Sequence, residues 1–449
     1  MELEELEIEL FDEGMLDPTD SQSLPLWGRV KFPQELLEYL NEYKTTKNFI
    51  YDKKTGKPIL IHNAKSSVWT AFDKYLYERH GKIPEDELPK ISAIFKSCFN
   101  KYGAVVENMA MKIAVMLDMP TSYNYIVKFD KNKHPEIIDT YPTPEKANKL
   151  YPYGIVSIDF LQSKYGYEKI SRADFDIKDE NGNIINSYEI DSVDNTAGDE
   201  LIQFDDALKK YNIATNSLSH EGNLIENWVK VVDELARREL AGAPQENINK
   251  YISHIHSRIA RSFLLKDLIL GDCDFTARNG GLVINRERKK LRYAPNYDYG
   301  QSFNNLIRKA LDKSTSYYGM TKEQFDSLPD FLQRKLIEQN KNKKQSYSMK
   351  EIAEQPSSAE SERNLNYVFT HFPTACKEFF ENLDEVMRND FIGDLVDTYN
   401  NLTVNGEPLL TEEECKLFKE YIYLRASHAM ELYANYLVSN DLDIPSLSY

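Results

Sequence analysis

Residues 271–300 read GDCDFTARNGGLVINRERKKLRYAPNYDYG, and the reading of the whole chain turns on them. Asp274 stands five positions before Asn279, and a third oxygen-bearing group, Asp298, follows in a short Asp-Tyr-Gly turn. Phosphoryl transfer from a nucleotide needs such a set. One carboxylate orients the acceptor hydroxyl, while an amide and a second carboxylate hold magnesium against the phosphates. Magnesium takes a few hard oxygen ligands and fills its remaining positions with water and phosphate oxygens, so one Asn and one Asp suffice. An isolated Asp-Asn pair is more often a helix cap or turn. The ordered context lifts this one above that reading.

Upstream, Asn249 to Leu270 carries Ile252, Ile255, Ile259 and Phe263 at three- and four-residue intervals, the pattern of one amphipathic helix. Downstream, Gly281–Ile284 and Leu291–Tyr293 read as two strands joined by the charged turn Asn285–Lys290. Helix, D-x-x-x-x-N loop, hairpin and acidic turn is the order of a kinase catalytic region. Arg278, four residues after Asp274, supplies a fixed cation for charge building on a transferred phosphoryl group.

A second constellation lies nearer the N-terminus. Ile91 to Lys96 is a short apolar strand ending in lysine, and Ala104 to Asp118 is a helix with Glu107 in its first turn. A strand lysine reaching nucleotide phosphates and a helix glutamate holding it are the matching parts of a kinase. Taken singly, Lys96 is an ordinary strand-end charge and Glu107 an ordinary helix-start charge. Lys128, in the β-rich run Tyr123–Phe129, is the rival for the lysine role; it ranks second because it follows the glutamate helix.

Composition bounds the rest. The 449 residues exceed the needs of a single small core, and 41% hydrophobic with 28% charged residues is a globular balance. A net charge of −17 disfavours direct nucleic-acid binding. No apolar run approaches the length of a membrane span. The N-terminal MELEELEIELFDEG lacks the basic-then-apolar order of a secretory signal. Cys98, Cys273, Cys376 and Cys415 are scattered without a Cys-x-x-Cys pair, as expected in a reducing cytoplasm. His254 and His256 are two apart on a helix and so make a poor metal pair.

In chain order, an acidic arm (1–25) precedes a helix over Phe32–Lys47, a hairpin over Asn48–Ile61 and a helix over Ser66–Gly81. Tyr153–Leu161 is another apolar run, and Asn181-Gly182 marks a hairpin. Helices are expected over Leu201–Tyr211, Leu224–Leu240, Phe369–Leu395 and Thr411–Val438, with a polar mobile loop over Asn340–Arg363. Strands gather early and helices late. The expected fold is therefore α+β and two-lobed, protein-kinase-like, with a mixed β-rich N-lobe binding nucleotide (26–165) and a mostly helical catalytic C-lobe (166–449).

The assembled residues resemble the HipA-like kinase family, bacterial kinases distantly related to phosphoinositide kinases. The likeness rests on Ile94-Phe-Lys96, Glu107 with MKIAVMLDMP, Tyr153-Gly-Ile-Val-Ser157 with DFL, Asp274-x4-Asn279 and Ala294-Pro-x-Tyr-Asp298, across Ile91 to Phe303. It implies ATP and Mg2+ as cofactors. By the same likeness Asp274 is the catalytic aspartate, Asn279 and Asp298 are the magnesium ligands, and Lys96 contacts phosphate beside Glu107. It implies phosphorylation of protein serine or threonine, often with autophosphorylation, and in several members a toxin role neutralised by a small DNA-binding antitoxin. Thr276 stands where the family usually has His, whereas Arg278 keeps the family's basic residue. Lys65-Ser66-Ser67 is the candidate phosphate loop, and residues 1–90 lack a recognisable form of the family's small N-terminal subdomain. Two alternatives share part of this pattern: a small-molecule kinase of the aminoglycoside type, and a nucleotide-binding pseudokinase acting as a regulator.

Overall fold

Phe95 and Gly154 set how the first lobe closes. The computed structural model describes residues 1–15, 26–31, 49–51, 58–60, 90–98, 100–135, 148–158, 160–161, 177–178, 184–186, 199–210, 224–287, 289–311, 325–339 and 347–442. Strands β1 (Ile8–Met15), β2 (Leu26–Lys31), β5 (Lys90–Ser97), β6 (Asn124–Lys128) and β7 (Tyr153–Ile158) form an antiparallel sheet in the order β1-β2-β5-β7-β6. Two short ribbons lie outside it, β3 (Phe49–Tyr51) with β4 (Pro58–Leu60) and β8 (Ile177–Lys178) with β9 (Ile184–Asn186). Both fall at the hairpins read from the sequence. In β5 the apolar alternation buries Ala93 and Phe95 completely. Lys96 pairs with Ile155, and a Cβ on Gly154 would come within 2.6 Å of the Phe95 ring. Glycine there lets β7 approach β5 at the lysine.

Helix α1 (Gly103–Met116) is apolar nearly all round and buried from Ala104 to Met116, as a helix enclosed on every side must be. It packs on β6 and β7 and on the helix Phe391–Asn401 of the second lobe. Asn108 fixes both contacts: its amide donates to the Asn124 carbonyl at 2.9 Å and its oxygen accepts from the Tyr399 hydroxyl at 2.7 Å.

The second lobe contains α2 (Phe204–Lys210), α3 (Leu224–Glu239), α4 (Gln245–Phe263), α5 (Asp330–Gln339), α6 (Met349–Ala353), α7 (Ser361–His371), α8 (Pro373–Arg388), α9 (Phe391–Asn401) and α10 (Glu412–Ser439). A small antiparallel sheet joins β10 (Asp199–Gln203), β11 (Gly281–Asn285) and β12 (Lys290–Tyr293). The architecture is α+β and two-lobed, a β-rich first lobe on a mostly helical second. Among the described residues no helix is long and apolar enough to cross a membrane.

Three sequence expectations need correction. Residues 199–203, whose last three were assigned to a helix, are strand, because Leu201 and Ile202 pair with Val283 and Leu282 of the downstream hairpin. Phe369–Leu395 is not one helix: Pro373 starts α8 at its first position, having no N–H to give the preceding turn, and Asp390 at φ +54° separates α8 from α9. Part of the loop expected over 340–363 is helical, since Ser348 and Glu351 form a capping box that opens α6. The helices expected over Phe32–Lys47 and Ser66–Gly81, and the phosphate-loop candidate Lys65–Ser67, lie outside the described residues.

The acidic N-terminal residues run along the first lobe. Leu6 N–H donates to the Lys128 carbonyl at 2.8 Å and Leu3 N–H to the Thr403 carbonyl at 2.9 Å, so the segment touches both lobes before entering β1.

Candidate active site

The site is assembled where β5, α1 and the 271–300 stretch converge. Lys96 projects from a central strand, and its ammonium lies 3.5 Å from Glu107 Oε1 and 3.3 Å from Asp298 Oδ1. The side chain of Glu107 is 7% exposed, those of Lys96 and Asp298 23% and 41%. One carboxylate is therefore sealed behind the lysine and the other opens to solvent. Burial opposes the charge on Lys96, but Asp298 and then Glu107 outweigh it and raise its pKa. Glu107 is raised by its burial, only partly offset by Lys96, whereas Asp298 is lowered chiefly by the Lys96 charge. Lys128 does not join this group. It ends the edge strand β6 and pairs with Glu2 at 3.3 Å.

Asp298 is presented by a turn that the first lobe grips. Thr121 and Ser122, just after α1, bond the Asn296 carbonyl through the Thr121 hydroxyl (3.0 Å) and the Ser122 N–H (2.8 Å), and Asn296 N–H returns to the Pro120 carbonyl at 2.8 Å. Tyr299, fully buried, meets the Thr121 hydroxyl at 2.9 Å. Asp298 itself sits at φ +54°, a left-handed conformation uncommon for a non-glycine residue.

The Asp274–Asn279 loop hangs below. Asn279 donates its amide N–H groups to the Asp274 carbonyl (2.8 Å) and carboxylate (3.0 Å). Spending both donors on Asp274 leaves Asn279 Oδ1 as the oxygen the side chain offers outward. Asp274 is exposed, yet lost hydration over the loop and the nearby Asp298 charge raise its pKa. Phe275 anchors the loop by an edge contact at 4.9 Å to Trp228, which stacks on Phe204 at 4.3 Å. Arg278 has a side chain 60% exposed and 3.8 Å from Asp205, and its charge acts to lower the Asp274 carboxyl.

Sequence reasoning missed two members. Helix α4 ends in a π-helical turn, Leu264–Ile269, whose Lys266 is completely buried. Its ammonium donates to the Tyr297 carbonyl at 2.9 Å and lies 3.7 Å from the buried Asp272. Asp272 in turn accepts the Asp274 N–H at 2.9 Å, and burial, partly offset by Lys266, pushes it up to about 6. The signal was present: Lys266 is a charge inside FLLKDLIL, an otherwise apolar run apart from Asp267.

The donor set suits magnesium: one open carboxylate, one outward amide oxygen, both hard. Lys96 and Lys266 against Glu107, Asp272, Asp274 and Asp298 leave a formal charge of about −2, which a divalent cation offsets.

No family model matches the chain, and no curated protein matches it. Among solved structures it is similar to the crystal structure of a Helicobacter pylori proinflammatory kinase, CtkA, at 10% identity and a TM-score of 0.40, over 80% of this chain and 90% of that one.

Proposed function

We propose that the chain is an ATP- and magnesium-dependent phosphotransferase whose acceptor is a protein serine or threonine hydroxyl. The observation that carries the reading is Lys96, within 3.5 Å of both Glu107 and Asp298, beside a loop in which Asn279 is bonded to Asp274. Residues from two distant parts of the sequence, 96–107 and 274–298, meet there, of the types that phosphoryl transfer requires.

In this reading Lys96 holds phosphate oxygens, and Glu107 keeps its ammonium turned to them. Asn279 Oδ1 and Asp298 would hold magnesium, which would supply positive charge against the nucleotide phosphates. Asp274 accepts a hydrogen bond from the acceptor hydroxyl and takes its proton; its raised pKa makes it a better base than an ordinary aspartate. The transferred charge is met by Lys96 and, when it turns from Asp205, by Arg278. The protein acceptor rests on the Ala294-Pro-x-Tyr-Asp298 resemblance, as does a small antitoxin-like partner.

Intact mass after incubation with ATP and magnesium, beside an Asp274→Ala control, tests the proposal. Phosphate gained by the wild type alone is expected, with the variant slower by about 10²–10⁴-fold. A magnesium-dependent thermal shift with ATP but no gain would favour a small-molecule kinase or a nucleotide-binding pseudokinase. The absence of both shift and gain would overturn the phosphotransferase reading.

A further inference from the structure

Lys266 touches both the 272–275 segment that carries Asp274 and the 297–299 turn that carries Asp298. It leaves α4 in a π-helical turn, a device that re-aims side chains within a helix. From there its ammonium donates to the carbonyl of Tyr297 at 2.9 Å and reaches that of Asp298 at 3.4 Å. It also faces Asp272 at 3.7 Å and lies over the rings of Tyr299 (4.9 Å) and Phe275 (5.6 Å). Asp272 spends its other oxygen on the Asp274 N–H. The π-helical turn is itself clamped from α10. There the buried Arg425 donates to the carbonyls of Leu268 (2.6 Å) and Asp267, and to Ala353 at 2.9 Å.

We propose that Lys266 is a positioning residue: with Asp272 it fixes the separation between Asp274, which receives the acceptor, and Asp298, which receives the metal. The inference rests on the phosphotransferase reading and deepens it. A single ammonium bonded to the backbone beside one group and paired with the residue that anchors the other makes their spacing a property of the lysine. Asp298 needs such a hold, since its left-handed backbone is not one an aspartate adopts freely. A buried pair serving only stability predicts something different, because replacing both charges by neutral groups of similar size is often tolerated.

The test is the double variant Lys266→Met/Asp272→Asn, which leaves no lone buried charge and keeps an acceptor for the Asp274 N–H. Its fold is checked by circular dichroism and melting. Kinetics of phosphoryl transfer are then measured against magnesium concentration. The expected result is a folded protein whose half-saturating magnesium rises and whose kcat falls, each by about 10- to 100-fold, as is usual when supporting residues of a metal site are lost. The KM for the acceptor stays unchanged. Lys266→Gln/Asp272→Asn returns an N–H donor for the Tyr297 carbonyl and recovers part of the loss; it carries the same comparison should the Met variant not fold. Wild-type kcat and magnesium requirement in a folded neutral variant would overturn the positioning role alone. A wild-type protein with neither transfer nor a magnesium-dependent ATP shift would overturn that role and the phosphotransferase reading together.

Discussion

Two lysines hold Asp298, one from each lobe, and they hold different parts of it. Lys96 comes from the strand lobe, is partly open to solvent, and meets the carboxylate at 3.3 Å. Lys266 comes from the helical lobe, is fully buried, and meets the backbone carbonyls of 297 and 298. The open lysine can exchange its carboxylate partner for a phosphate. The buried one cannot exchange anything without opening the core. The difference separates two tasks within one residue's surroundings: a side chain free to respond to ligand, on a backbone that stays in place.

The contrast is broken most severely from below. Trp228 is fully buried between Phe204 and Phe275, so Trp228→Ala removes the floor of the 272–279 loop. A loss of about 3–5 kcal/mol is expected in equilibrium denaturation. A loss under about 1 kcal/mol would mean that the loop is held elsewhere. Lys96→Met sharpens the contrast from above. It should cut phosphoryl transfer about 10²-fold or more, roughly 2.7 kcal/mol of barrier, and also lower the melting temperature, because buried Glu107 loses its partner. Lys128→Met, on the edge strand and paired among the described residues with the exposed Glu2, should leave transfer unchanged. Equal losses in the two variants would remove Lys96 from its assigned place.

The smallest effect tests whether the lobes also meet away from the site. Lys101 and Tyr102, just before α1, reach Glu414 in the first turn of α10 at 2.6 and 2.7 Å. Burial alone would raise Glu414, but hydrogen bonds from Lys101, the Thr411 N–H and Tyr102 outweigh it and lower its pKa. The stability it contributes is therefore present above the ordinary value of 4.5 and is lost as pH falls below that value. Glu414→Gln should cost about 1 kcal/mol near neutrality and flatten the acid limb of the melting profile. A variant that keeps the wild-type acid limb would assign that limb to other carboxylates.

What the sequence made legible follows the same divide. Lys96, Glu107, Asn279 and Asp298 carry polar groups in a recognisable order, and elements with strong apolar periodicity, such as α4 and β11, lie where their patterns indicate. Asp272 and Lys266 escaped because their meaning is a contact, not a pattern. A lysine in an apolar run declares that it has partners without declaring which. Strand β10 escaped for a related reason: its Leu201 and Ile202 are adjacent, not alternating, and only pairing with a hairpin eighty residues away makes them strand. Arg278 was legible as a basic residue of the loop, but its direction was not, and it lies by Asp205.

The π-helical turn at Leu264–Ile269 also has a consequence for how this chain can vary in length. The turn holds one residue more than ordinary winding needs, so removing a residue ahead of Lys266 would restore that winding, swing Lys266 by about 100° and leave the chain after the turn nearly in place. Lys266 would then face away from 297–298 and from Asp272. A further inserted residue would find no such slack and would turn the chain after it by about 100°. Between Ile259 and Asn279 the spacing of residues is thus as fixed as their identities, and a change in count there would be felt before any change in side chain.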